Sequence, residues 1–148
     1  MSESSGKFSH IDAGGQANMV DVSDKSVTKR EATAEGFLYV SDSVIQQISE
    51  AKIAKGDVFA VARIAGIQGA KRCSDLIPLC HPLALSKVDV NFEVQPEEKR
   101  IRATCYCKLS GKTGVEMEAL TGVNVALLTL FDMCKAIAPT MHMEGVRV

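Results

Sequence analysis

An α+β sandwich, with an antiparallel sheet packed by helices, is the fold class this sequence predicts, and three observations predict it. The segment SKVDVNFEVQ alternates Val88, Val90, Phe92 and Val94 with Asp89, Asn91 and Glu93, the mark of a strand buried on one face. The residues PEEK join it to a second strand-like run, RIRATCYCKL, as a hairpin. Helical stretches rich in Ala, Val and Leu precede and follow that hairpin and supply faces to cover a sheet.

Each element follows in chain order. Residues 1–7 are small and polar, so disorder is expected there. The stretch FSHIDAGGQANMVDVSDK has Gly14-Gly15 and no clear period, which predicts an extended arm, and residues 1–25 together form an N-terminal extension. A single domain then occupies 26–148. From Ser26 to Val40 an edge-type strand is expected, with Gly36 at a bulge. Ser41 suits the N-cap of a helix running to about Ala54, with Val44, Ile45 and Ile48 on one face, and Lys55-Gly56 ends it. A second helix runs from Asp57 to about Arg72, and its small residues suit close packing against another backbone. Pro78 and Pro82 make CSDLIPLCHPLALS a loop. After the hairpin, SGKTG leads into a long helix from about Val115 to Ile137. Pro139 stops it before a last short strand. Counting the two early helices as one connection, strand, helix, strand, strand, helix, strand is the ferredoxin-like order.

Composition narrows the function classes. A chain of 148 residues makes one ordinary domain. It is 46% hydrophobic but 5% aromatic with no Trp, so Val, Ile, Leu, Ala and Met must build the core. Seventeen basic against eighteen acidic residues give no general pull toward nucleic acid or an anionic membrane. Locally, Lys55, Arg63, Lys71, Arg72 and Lys87 outnumber Asp57 and Asp75, a balance that suits either a small polyanion or a solvated surface. No uninterrupted apolar run approaches the ~20 residues of a bilayer span, and MSESSGKFSH lacks signal-peptide regions. A cytoplasmic protein with reduced cysteines is expected. Cys73, Cys80, Cys105, Cys107 and Cys134 form no CxxC pair, so no metal site is expected, and Cys105 and Cys107 fall on one face of a strand.

Polar residues of the long helix fall in one stripe. Glu118, Thr121, Asn124, Thr129 and Lys135 all project within about 80° of Asp132. Such a stripe suits a solvated face with an ordinary Asp132–Lys135 ion pair as well as it suits a site. Glu118 and Asp132 stand ~21 Å apart along the helix, so one small ligand reaches both only if it is long or the site spans two subunits. That geometry favours a homo-oligomer. His81, in a proline-restrained loop, suits an acid, a base, a phosphate donor or a buried structural histidine. His10 and His142, in a tail and a terminal strand, suit structural roles. Lys55 suits a helix C-terminal cap, Glu116 and Glu118 suit first-turn carboxylates, and the SGKTG loop is a weak phosphate cradle without the Walker pattern.

Three stretches go further: KGDVFAVARIAGIQGAKRCSDLIPLCHPLALSKV, KTGVEMEALTGVNVALLTLFDMCKA, and MVDVS with KREA. With them the chain resembles the cyclic pyranopterin monophosphate synthase family, over nearly all of His10 to Val148. The resemblance implies a ferredoxin-like fold, a hexamer built as a trimer of dimers, and active sites at dimer interfaces. It implies a lyase reaction in molybdenum cofactor biosynthesis. There 3′,8-cyclo-7,8-dihydro-GTP becomes cyclic pyranopterin monophosphate and pyrophosphate leaves. By motif it makes Asp132, Lys135, Lys55 and His81 catalytic. Leu79, Cys80, His81, Met117 and Glu118 would line the pocket, with Glu116 nearby and Lys71 or Arg72 facing developing charge. No cofactor is implied, although Mg could accompany the triphosphate. Family members continue past the last strand into a Gly- and Lys-rich tail thought to help at the site, whereas this sequence runs to Val148. Two other readings of the same residues are a purine-nucleotide-binding module without turnover and a purely structural oligomerisation domain.

Overall fold

Alternation of small and apolar residues decides which side of each strand meets the helices. A computed structural model describes residues 6–51 and 57–148. Its sheet comprises β1 (Thr28–Tyr39), β2 (Lys87–Gln95), β3 (Arg100–Gly111) and β4 (His142–Arg147). The helices are α1 (Asp42–Ser49), α2 (Val58–Lys71), α3 (Cys73–Leu76) and α4 (Glu116–Cys134). The strands pair antiparallel in the order β2-β3-β1-β4, which is the expected ferredoxin-like sheet. Ala34 and Leu38 of β1, Ile101, Ala103, Cys105, Cys107 and Leu109 of β3, and Val90 of β2 are buried in the core under the helices. Cys105 and Cys107 share that face, their sulfurs 3.9 Å apart.

Small residues let α2 and α4 approach closely over the sheet. A Cβ on Gly66 would lie 3.1 Å from Ala126 Cβ and 3.1 Å from the Gly122 carbonyl oxygen. A Cβ on Gly122 would lie 2.5 Å from Cys105 Sγ. The Ala- and Gly-rich α2 therefore does what its composition predicts. Asp57 caps it, accepting from the Phe59 and Ala60 N–H groups at 3.0 and 3.1 Å. Ser41 caps α1 by accepting from Val44 N, and Val44 is buried.

Several boundaries differ from expectation. β1 is an interior strand, not an edge, because it pairs along its length with β3 and again with β4. The bulge expected at Gly36 is there, as a register shift between Glu35 and Phe37. Helix α1 ends at Ser49 and not near Ala54, since Ala51 turns into the left-handed region with φ 53. The expected loop after α2 opens with the one-turn α3. Ile77, pushed to extended backbone by Pro78, ends that turn. Helix α4 stops at Cys134, short of Ile137, whose N–H bonds back to the Cys134 carbonyl at 3.0 Å in a tighter turn. By length and composition α4 matches a bilayer-crossing helix, with mean hydropathy 1.3, yet half of that window is buried inside the protein. The disorder expected of residues 1–7 falls, for 1–5, outside the described residues. Lys55 and the helix end at Lys55-Gly56 lie outside them as well.

Candidate active site

Two prolines and a buried carboxylate set the geometry at the start of α4. Pro78 and Pro82 restrain the loop between them, holding Leu79, Cys80 and His81 half-buried. His81 Nε2 lies 2.5 Å from the Val20 carbonyl oxygen. A carbonyl only accepts, so Nε2 carries the proton, and in the neutral ring Nδ1 is left as an acceptor. The bond also fastens the N-terminal arm onto the loop.

Across from this loop, the first turn of α4 presents Glu116, Met117 and Glu118. Glu118 is buried, 4% exposed. Burial raises its pKa above the ordinary value, and repulsion from Glu116 adds to the effect; hydrogen bonds from its own backbone and from the Cys73 thiol pull the other way. Thr121, one turn further on, donates to Cys73 Sγ at 3.4 Å. Burial pushes the Cys73 thiol up to about 12 and also raises Cys80. Both thiols are therefore protonated at neutral pH, and Cys80 forms a wall rather than a thiolate nucleophile.

Between loop and helix lies a cleft of about 350 Å³. Leu79, Cys80, His81, Glu116, Met117 and Glu118 all line it, as do Thr113 and Gly114 of the SGKTG loop. Six residues expected to face substrate are thus brought together from two distant stretches. The arm supplies the remaining wall, including His10 and Lys25. His10, expected in a tail with a structural role, is thus a lining residue of the cleft. The signal that marks it is local: Asp12 Oδ1 accepts from Gly14 N and Gln16 N, each at 2.9 Å, forming a turn that returns the chain beside His10.

Other expected residues stand elsewhere. Lys71 borders a second hollow of about 410 Å³, which shares Leu83 with the first. Arg72 is the exposed C-cap of α2. The local excess of basic residues does not converge, since Arg63 donates to the Val90 carbonyl and Lys87 pairs with Asp89 at 3.3 Å. Asp132 and Lys135 pair at 2.8 Å at the far end of α4, more than half exposed. The polar stripe is therefore split, with Glu118 and Thr121 buried and Asn124, Asp132 and Lys135 exposed. Among the described residues, no three or more His, Cys, Asp or Glu side chains stand together as a metal site.

The MoaC family model matches residues 19–148, which takes in the loop, the SGKTG turn and the whole of α4. The chain belongs to the MoaC family. MoaC proteins are cyclic pyranopterin monophosphate synthases, lyases of molybdenum cofactor biosynthesis. The reaction is the conversion of 3′,8-cyclo-7,8-dihydro-GTP to cyclic pyranopterin monophosphate with loss of pyrophosphate. The MoaC match begins at Met19, so His10 lies outside it and Lys25 within it.

Proposed function

We propose that the cleft at the start of α4 holds the GTP-derived substrate, and that Asp132 and Lys135 of a neighbouring copy complete the site. The observation supporting this is the convergence of His81, Glu116 and Glu118 on one cleft while Asp132 stands ~21 Å further along the same helix. Within the cleft, Glu116 and Glu118 suit the N–H donors of the purine-derived ring, with Leu79, Cys80 and Met117 against its faces. Lys55 and His81 hold the triphosphate, His81 donating from Nδ1 as an imidazolium while Nε2 keeps its bond to the Val20 carbonyl. Lys71, on the hollow that shares Leu83 with the cleft, and Arg72 are assigned to the charge building on the departing pyrophosphate, although neither lines the cleft itself.

Closing the cyclic phosphate requires a hydroxyl oxygen to attack the innermost phosphorus, a base to take its proton, and the outer two phosphates to leave together. Ring opening and reclosure need further proton transfers, for which a carboxylate and an ammonium held side by side are suited. We assign these to Asp132 and Lys135. Their exposed ion pair contributes only ~0–1 kcal/mol to stability, so opening it for chemistry costs the fold little. A divalent ion such as Mg would enter on the triphosphate, bound by phosphate oxygens. The same reading makes the enzyme a cytoplasmic homohexamer, a trimer of dimers.

Pyrophosphate release from 3′,8-cyclo-7,8-dihydro-GTP tests the assignment. Asp132→Asn is expected to lower turnover by about 10²-fold or more with folding intact. Full turnover by that variant would remove Asp132 from the chemistry and favour a plain surface pair. Assaying ring opening separately from pyrophosphate release distinguishes the lysines. Lys55→Ala that blocks the first and spares the second would exchange the roles of Lys55 and Lys135.

A further inference from the structure

We infer that His10, carried on the N-terminal arm, is a further substrate-binding residue of the cleft and donates to the phosphate chain. The inference rests on the reading that this cleft holds the substrate. Its own support is electrostatic and geometric. The first turn of α4 would ordinarily attract an anion, but Glu116 and Glu118 already place carboxylates at that end. A phosphate chain laid there would meet like charge. Of the lining side chains, those that can bring a positive charge to phosphate are His10 and Lys25 on the arm and His81 on the loop, the histidines as imidazolium.

The arm is built to hold His10 in place. The His10 carbonyl accepts from Asn18 N at 2.8 Å, and Ile11 bridges to Ala17 across the small turn organised by Asp12. Further along, Val20 is tied to His81, and the Ser23 carbonyl accepts from Lys112 Nζ at 3.2 Å. The backbone of the arm is thus fixed at His10, at Val20 and at Ser23. The His10 side chain itself stays exposed and available to a ligand.

The test compares native protein, His10→Ala, His10→Lys and Glu118→Gln in steady-state pyrophosphate release, with inorganic pyrophosphate as a competing probe. His10→Ala is expected to raise KM by about ten-fold or more with kcat nearly unchanged, and to weaken inhibition by pyrophosphate by a similar factor. His10→Lys, which keeps a donor, is expected to recover most of both. Unchanged KM and inhibition in His10→Ala, alongside lost turnover in Glu118→Gln, would overturn the role of His10 and leave the cleft as the site. A raised KM with unchanged pyrophosphate inhibition would also overturn it, by moving His10 to the ring. Native turnover in Glu118→Gln would refute the cleft itself, and the inference with it.

Discussion

Glu118 and Glu35 are carboxylates whose surroundings push them in opposite directions. Burial raises Glu118, so the folded protein keeps its proton to higher pH than the unfolded chain does, and its ionisation opposes folding once the pH climbs above the ordinary value near 4.5. Glu118→Gln keeps the shape without the charge. The variant is expected to melt higher than native protein at pH 7, with the difference shrinking toward pH 4.5, although its turnover is lost. An equal melting difference at both pH values would contradict the raised pKa. Glu35 accepts from Arg147 at 2.8 Å and from Arg102 at 2.9 Å, and these bonds lower its pKa. Its contribution is present above the ordinary carboxylate range and is lost as pH falls through its depressed pKa. Glu35→Gln should therefore cost about 1 kcal/mol at pH 7 and progressively less in acid, as chemical unfolding at the two pH values would show. At this scale the sequence was readable where a motif was long. LIPLCHPL and GVEMEALT name the residues that meet at the cleft, yet neither reveals that Glu118 is buried under Cys73. That fact depends on α3, a single turn too short to leave a periodic signal.

Contacts between elements rest on glycine and alanine rather than on large side chains. With α2 against α4 and both over β3, the space at Gly122 is bounded by Cys105 Sγ, the Gly66 carbonyl and Ala70. A methyl group there would force the helices apart, and the loss outweighs the better helix propensity of alanine. Gly122→Ala is expected to destabilise by about 1–3 kcal/mol and lower Tm by roughly 2–4 °C per kcal/mol, measured by thermal unfolding. A variant as stable as native would show that the helices have room to part. The alternating strands and the small-residue helix were legible because each follows a single period. The edge assignment of β1 failed because alternation tells which face is buried and says nothing of partners on either side. The partner it lacked, β4, is a short strand with exposed residues and little apolar pattern. The early end of α1 at Ala51 has no Gly or Pro to announce it.

Across the whole molecule, the arm, the loop and the first turn of α4 line one cleft, and the Asp132–Lys135 pair lies at the opposite end of the helix. A single chain therefore carries the two groups of residues assigned above to one site at opposite ends of α4. Helix periodicity made the separation visible in the sequence, while the arm's part in the cleft had no period to betray it. The most direct test mixes two variants, Glu118→Gln and Asp132→Asn, by co-refolding, and follows pyrophosphate release from 3′,8-cyclo-7,8-dihydro-GTP. Each alone is expected to be inactive. Together they should recover up to about one quarter of native turnover, because half of randomly formed pairs are mixed and each mixed pair rebuilds one of its two sites. A mixture no more active than its parents, with mixed oligomers shown to form, would contradict a site shared between copies.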